Sequence, residues 1–167
     1  MTTLVDILGA PRHRAALITE AVSLIEAQVA SSRGLKGVGL RAGLAMLRAA
    51  RPGLLTRAVE RLLPDFAQAL EPLYRRFRES PTTDFSVFLQ QHGTEVVHAA
   101  MTTADARVAR SSHASLNSGY ARLRGAIEAE LRAAIPAIGH LLGRHVSQKN
   151  GTGPDRAKHA RGPGPWE

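Results

Sequence analysis

Apolar residues recur along the first 145 positions with the three-and-four spacing of a helical face, and nowhere with the alternation of a strand. Leu4, Ile7 and Leu8 share one side of a short turn over residues 2–9. Pro11 suits the first position of a new helix, where its missing N–H costs nothing. Leu17, Ile18, Ala21, Val22, Ile25 and Val29 then form a stripe that leaves Glu20 and Glu26 to one side, which predicts a helix ending near Ser31 and Ser32. Residues 33–39, with Gly34, Gly37 and Gly39, read as a loop and the start of the next helix. Leu40, Leu44 and Leu47 form the buried stripe of that helix, and Pro52 and Gly53 end it.

The longest stripe follows. Leu55, Val59, Leu62, Leu63, Phe66, Leu70, Leu73, Tyr74 and Phe77 keep one phase across Pro64 and Pro72. Each proline removes a donor and crowds the preceding turn, so the spacing predicts a kinked or jointed helix in place of a loop. Asp65 suits the exposed N–H groups of a restarted helix. After the connector Ser80–Thr83, Asp84 is a candidate N-cap for a short helix carrying Phe85, Phe88 and Leu89. Gly93 ends that helix and Thr94 caps the next, whose inner face is Val97, Ala100, Met101, Ala104 and Val108. Ser111 or Ser112 caps a last long helix running through Leu116, Tyr120, Leu123, Ile127, Leu131, Ile135, Ile138 and Leu142, with Pro136 inside it.

The expected fold is therefore all-α. It is a single bundle of about five or six helices over residues 1–145, with proline-kinked long helices and short connectors between antiparallel neighbours. Residues 146–167 hold Gly, Pro and scattered charge without apolar periodicity, and read as a disordered basic tail. Trp166 stands near its end.

Composition changes this picture in a few places. Aromatic residues are only 4% of the chain, so the core is expected to rest on Ala, Leu, Val and Ile in close helix contacts. The absence of cysteine excludes disulfides, thiolate metal sites and a cysteine nucleophile. No cleavable leader pattern opens the chain, because Asp6, Arg12 and Arg14 interrupt it, and no apolar run approaches a membrane span. The expected location is the cytoplasm.

The net charge of +8 is unevenly placed. Residues 33–61 carry seven basic side chains against one acidic, a net +6: Arg33, Lys36, Arg41, Arg48, Arg51, Arg57 and Arg61 against Glu60. Guanidinium groups suit phosphate and carboxylate recognition. These seven residues are the candidate anion- or partner-binding set, weighed against a plain solvated face. Gly-rich backbone beside Arg33 and Lys36 could also cradle a single phosphate. No aromatic residue is interleaved among the cations, which argues against stacking on single-stranded bases.

Other chemistry finds little support. Gly37, Gly39 and Gly43 spell a variant dinucleotide fingerprint, yet no strand precedes them. Gly39 and Gly43 share a helix face and would permit a close crossing by another helix. Glu95 and His98 form one Glu-x-x-His pair where a di-iron bundle needs two. No nucleophile elbow, Ser-x-x-Lys or paired carboxylate motif occurs. The sequence thus points away from an enzyme, and to neither a metal nor a cofactor.

Gly34-Leu35-Lys36-Gly37 through Gly43, Pro52-Gly53, Leu62-Leu63-Pro64-Asp65-Phe66, Ala69-Leu70 and Pro72 occur together with Asp105-Ala106-Arg107 and Leu123-Arg124-Gly125. In this combination the chain resembles a family of small, uncharacterised all-helical bacterial proteins, mainly actinobacterial, over about residues 1–145. The resemblance implies a helical domain in a bacterial cytoplasm and brings no activity, cofactor or site residue. The expected function is that of a non-enzymatic binding or scaffold protein whose Arg-rich segment meets an acidic protein partner or a second copy. Nonspecific nucleic-acid binding is the first alternative and a membrane-surface or lipid-binding module the second.

Overall fold

A computed structural model describes residues 2–149. These residues form seven α-helices and no strand: α1 (Leu4–Leu8), α2 (Pro11–Ser31), α3 (Gly34–Ala50), α4 (Leu54–Glu79), α5 (Phe85–Gln91), α6 (Gly93–Ala109) and α7 (Ala114–Lys149). The all-α bundle is as expected, and counting short α1 and α5 as elements brings the number to seven.

Two long helices frame the bundle. With 26 and 36 residues, α4 and α7 span about 39 and 54 Å at the helical rise. Among the described residues their backbones do not come close to each other, while α1, α2, α3, α5 and α6 each pack close to both. The core lies between the two frames. Phe85, Leu4, Ile7, Leu8, Leu17, Leu70, Leu89, Val96 and Val146 are its largest fully enclosed side chains. Five-residue α1 is part of it: Thr3 and Asp6 form a capping box, and the Leu4 N–H donates to Glu71 Oε2 of α4 at 2.7 Å.

The aromatic residues, though few, are concentrated. Tyr74, Phe77, Phe85 and Phe88 pack at one end of α4 against α5, with ring centroids 4.9–6.2 Å apart. Small residues do the work of close packing elsewhere. Gly139 and Gly143 of α7 are buried against Ser86 of α5, where a Cβ on Gly143 would lie 3.0–3.1 Å from Ser86 Cβ and N. Gly39 and Gly43 face Leu123 of α7, the crossing their spacing suggested.

Several local expectations are corrected. The glycine-rich run is not a loop: α3 begins at Gly34, whose φ of +72° only glycine adopts readily. Gly37 is enclosed because a Cβ there would strike the Ser32 carbonyl. Gly93 opens α6 instead of closing α5, and the residue before α6 is His92, whose Nδ1 lies 2.8 Å from the Phe88 carbonyl. Thr94 therefore lies inside α6 and does not cap it. Likewise α7 starts at Ala114, beyond Ser111 and Ser112. Asp84 does cap α5, accepting from the Ser86 and Val87 N–H groups at 2.8 and 3.4 Å. The tail does not begin at 146, for α7 continues to Lys149 and Val146 is buried against the core. The rest of the expected tail, with Trp166, lies outside the described residues.

At the first internal proline the structure shows how a long helix tolerates the break. The ring of Pro64 denies a donor to the Glu60 carbonyl, and Arg14 of α2 reaches that oxygen at 3.5 Å. Arg107 of α6 donates to the next carbonyl, Arg61 O, at 2.6 Å and to Asp65 Oδ2 at 2.8 Å. Asp65 thus holds a bridging guanidinium and does not serve a restarted helix end.

Candidate partner-binding surface

The seven candidate cations fall on α3, its two flanks and the first half of α4. Arg33 is the N-cap of α3, Lys36 is in its first turn, Arg51 is its C-cap, and Arg57 and Arg61 follow on α4. Two of the seven are engaged internally. Arg41 donates to the Ser32 carbonyl and Arg48 pairs with Glu26 of α2. The other five are exposed, and among the described residues none has a side-chain partner. Arg33 and Lys36 also sit at the positive end of the α3 dipole, with no acidic residue in the first turn and no side-chain cap. That placement works against the helix.

The carboxylates explain why this charge stays uncompensated. Glu20, Glu26, Asp65, Glu71, Glu95, Asp105 and Glu128 pair with arginines. Asp6 and Asp84 cap helices, and Glu130 accepts from Ser32 Oγ and Gln28 Nε2. The two hydrogen bonds hold the Glu130 carboxyl below the ordinary glutamate range. Asp105 receives both a bidentate Arg124 and the Tyr120 hydroxyl at 2.7–2.9 Å. The guanidinium lowers the Asp105 pKa and is itself raised, while burial and that carboxylate push the Tyr120 phenol up to about 12. Most described acids are thus consumed inside the bundle, and the run from Arg33 to Val59 contains none.

The side of α3 turned away from the bundle carries a feature that the stripe of Leu40, Leu44 and Leu47 did not announce. Leu35, Val38 and Met46 are 92%, 55% and 73% exposed, and Ala42, Ala45 and Ala49 are exposed between and beyond them. At 100° per residue these six positions fall within one arc of the helix. The sequence signal was present as an apolar residue at each of these six positions, which the reading of a single buried stripe left out of account.

Polar groups elsewhere have structural employment. Ser86 Oγ lies 3.2 Å from His140 Nδ1 and accepts from Gln90, yet Ser86 is only 4% exposed, held beneath Gly139 and Gly143. Buried His145 lies 3.6 Å from Glu20, which is held by Arg144 at 2.7 Å. Glu95 is bound to Arg76 at 2.7 Å. Among the described residues no group of three His, Asp or Glu side chains is placed to hold a metal ion, and no helix is long and apolar enough to cross a membrane. Two open clefts of about 370 and 350 Å³ flank Pro136 and Pro72.

A family model described as a family of unknown function, DUF6918, matches residues 4–146. No curated protein and no solved structure matches the chain.

Proposed function

The chain belongs to the DUF6918 family, whose function is unknown, and from its own surface we propose that it is a non-enzymatic binding protein whose 33–61 segment meets an acidic partner. The single observation that carries this reading is the set of exposed, unpaired cations Arg33, Lys36, Arg51, Arg57 and Arg61 on a chain whose described carboxylates are mostly paired internally. Arg33 and Lys36 stand at the unfavourable end of the α3 dipole, a local conflict of the kind that functional surfaces carry. Arg41 and Arg48 contribute by fixing α3 against α2, and so are poor choices for testing the contact.

The test is fluorescence anisotropy with labelled polyglutamate and a random-sequence DNA duplex, titrated across salt. The wild-type full chain is compared with Arg33→Glu/Lys36→Glu/Arg51→Glu/Arg57→Glu. Binding at low salt that falls steeply with added salt and is lost in the variant supports the reading. Preference for the duplex over polyglutamate assigns the acidic partner to nucleic acid. Absence of binding to either of these and to anionic lipid vesicles, or equal binding by the variant, refutes it.

A further inference from the structure

We propose that the outward face of α3 docks on an anionic membrane surface, with the helix lying flat in the headgroup region. This rests on the acidic-partner reading and names the partner. Leu35, Val38 and Met46 would enter the boundary between headgroups and acyl chains, as the apolar face of an interfacial helix does. Arg33, Lys36, Arg51 and Arg57 would meet lipid phosphates from the ends of that face and from the start of α4.

Charge decides among the occupants of this strip. From Arg33 to Val59 the chain has six cations and no carboxylate. A second copy would set two such surfaces face to face, cation against cation. Residues 150–167 carry Arg156, Lys158 and Arg161 against Asp155 and Glu167, so they offer no negative complement either. Charge also separates a bilayer from a partner helix. The strip is the convex outer side of one helix, and neither the cleft beside Pro136 nor that beside Pro72 is lined by its residues. A partner helix would have to match an apolar face with carboxylates set to meet these cations, whereas an anionic bilayer supplies both along its whole surface. The acidic residues elsewhere on the chain do not oppose this, because most are paired at the surface with arginines of the same chain.

The test is flotation of the full chain with vesicles of equal parts phosphatidylglycerol and phosphatidylcholine, and with phosphatidylcholine alone. The expected result is recovery with the anionic vesicles only. Leu35→Asp/Met46→Asp replaces two exposed side chains and leaves the core intact, so its circular dichroism stays that of the wild type. Its partitioning falls by about 30-fold or more. Each cation removed weakens binding by about fivefold. Val87→Asp, at an exposed apolar position on α5, leaves flotation unchanged. Wild-type protein that stays at the bottom, or Leu35→Asp/Met46→Asp that floats as well as wild type, overturns the proposal. If the chain fails to float yet binds polyglutamate or DNA through its cations, the lipid assignment falls and the acidic-partner reading stands. If it does neither, both fall. Concentration-dependent dimerisation abolished by Leu35→Asp/Met46→Asp, without flotation, would assign the strip to a second copy instead.

Discussion

Two glycines of α7 with opposite surroundings make a sharp test of how this bundle is held. A Cβ on Gly143 would lie 3.0 Å from Ser86 Cβ and 3.1 Å from Ser86 N, whereas a Cβ on Gly125 meets nothing within 4 Å. Both gain the same helix preference from alanine, about 1 kcal/mol at most. At Gly125 that gain stands alone, so Gly125→Ala is expected to stabilise by about 0.5–1 kcal/mol. At Gly143 the new methyl presses on backbone that α5 cannot withdraw without leaving its seat, a strain of about 1–3 kcal/mol. The net effect of Gly143→Ala is a loss of up to about 2 kcal/mol, the difference between these terms. For a chain of this size, that moves the melting temperature by about 2–4 °C per kcal/mol. Thermal unfolding followed by circular dichroism should therefore show Gly125→Ala above wild type and Gly143→Ala below it. In a Ser86→Gly background the cost of Gly143→Ala should shrink by about 0.5–1 kcal/mol, since part of the obstacle has gone. If Gly143→Ala melts with or above Gly125→Ala, the glycines of α7 do not exist to admit α5, and the reasoning fails.

Four further outcomes follow from the polar joints and the first helix. Below pH 10 the neutral Tyr120 phenol contributes its full stabilisation, which is lost as pH rises from the unfolded value near 10 through the folded value of about 12. Tyr120→Phe should cost about 1 kcal/mol at neutral pH and flatten the alkaline decline in denaturant titrations. The lowered Asp105 acts at the other end, its contribution present above the ordinary carboxylate range and fading as acid protonates it; Asp105→Asn should reduce the stability lost on acidification. Arg107→Ala should cost about 1 kcal/mol by chemical denaturation, because a single nitrogen, Nη2, donates to both the Arg61 carbonyl and the Asp65 carboxylate and its loss leaves both without that donor. Leu8→Ala should cost about 2–4 kcal/mol by chemical denaturation, as befits a side chain only 1% exposed in a helix of five residues.

The residues that carry the family resemblance turn out to be these joints. Gly37 seats the Ser32 carbonyl, Gly43 admits Leu123, Asp65 and Arg107 bridge the turn at Pro64, and Asp105 grips Arg124. They mark how the bundle is assembled, and none of the five unpaired cations other than Lys36 falls within those motifs.

The helices were legible in the order of residues alone, because burial along a helix follows a 3.6-residue period that local spacing records. Stripes such as Leu70, Leu73, Tyr74 and Phe77 could satisfy no other element, and both prolines of α4 were legible as interruptions that the stripe outlasted. The order of residues also placed the cations in 33–61. What it left undecided was everything that depends on which helix meets which. Gly34, Gly37 and Gly39 look like a loop until Ser32 and Leu123 are brought against them. Arg41 and Arg48 look like free cations until Ser32 and Glu26 are found beside them. Leu35 and Met46 lie off the stripe of Leu40, Leu44 and Leu47, and draw no notice until the bundle closes on the other side of α3 and leaves them facing outward. Pairing between helices is a long-range choice among many faces of similar hydrophobicity, and only the tertiary structure makes it. That choice fixes which charges are cancelled and which apolar residues are left facing outward.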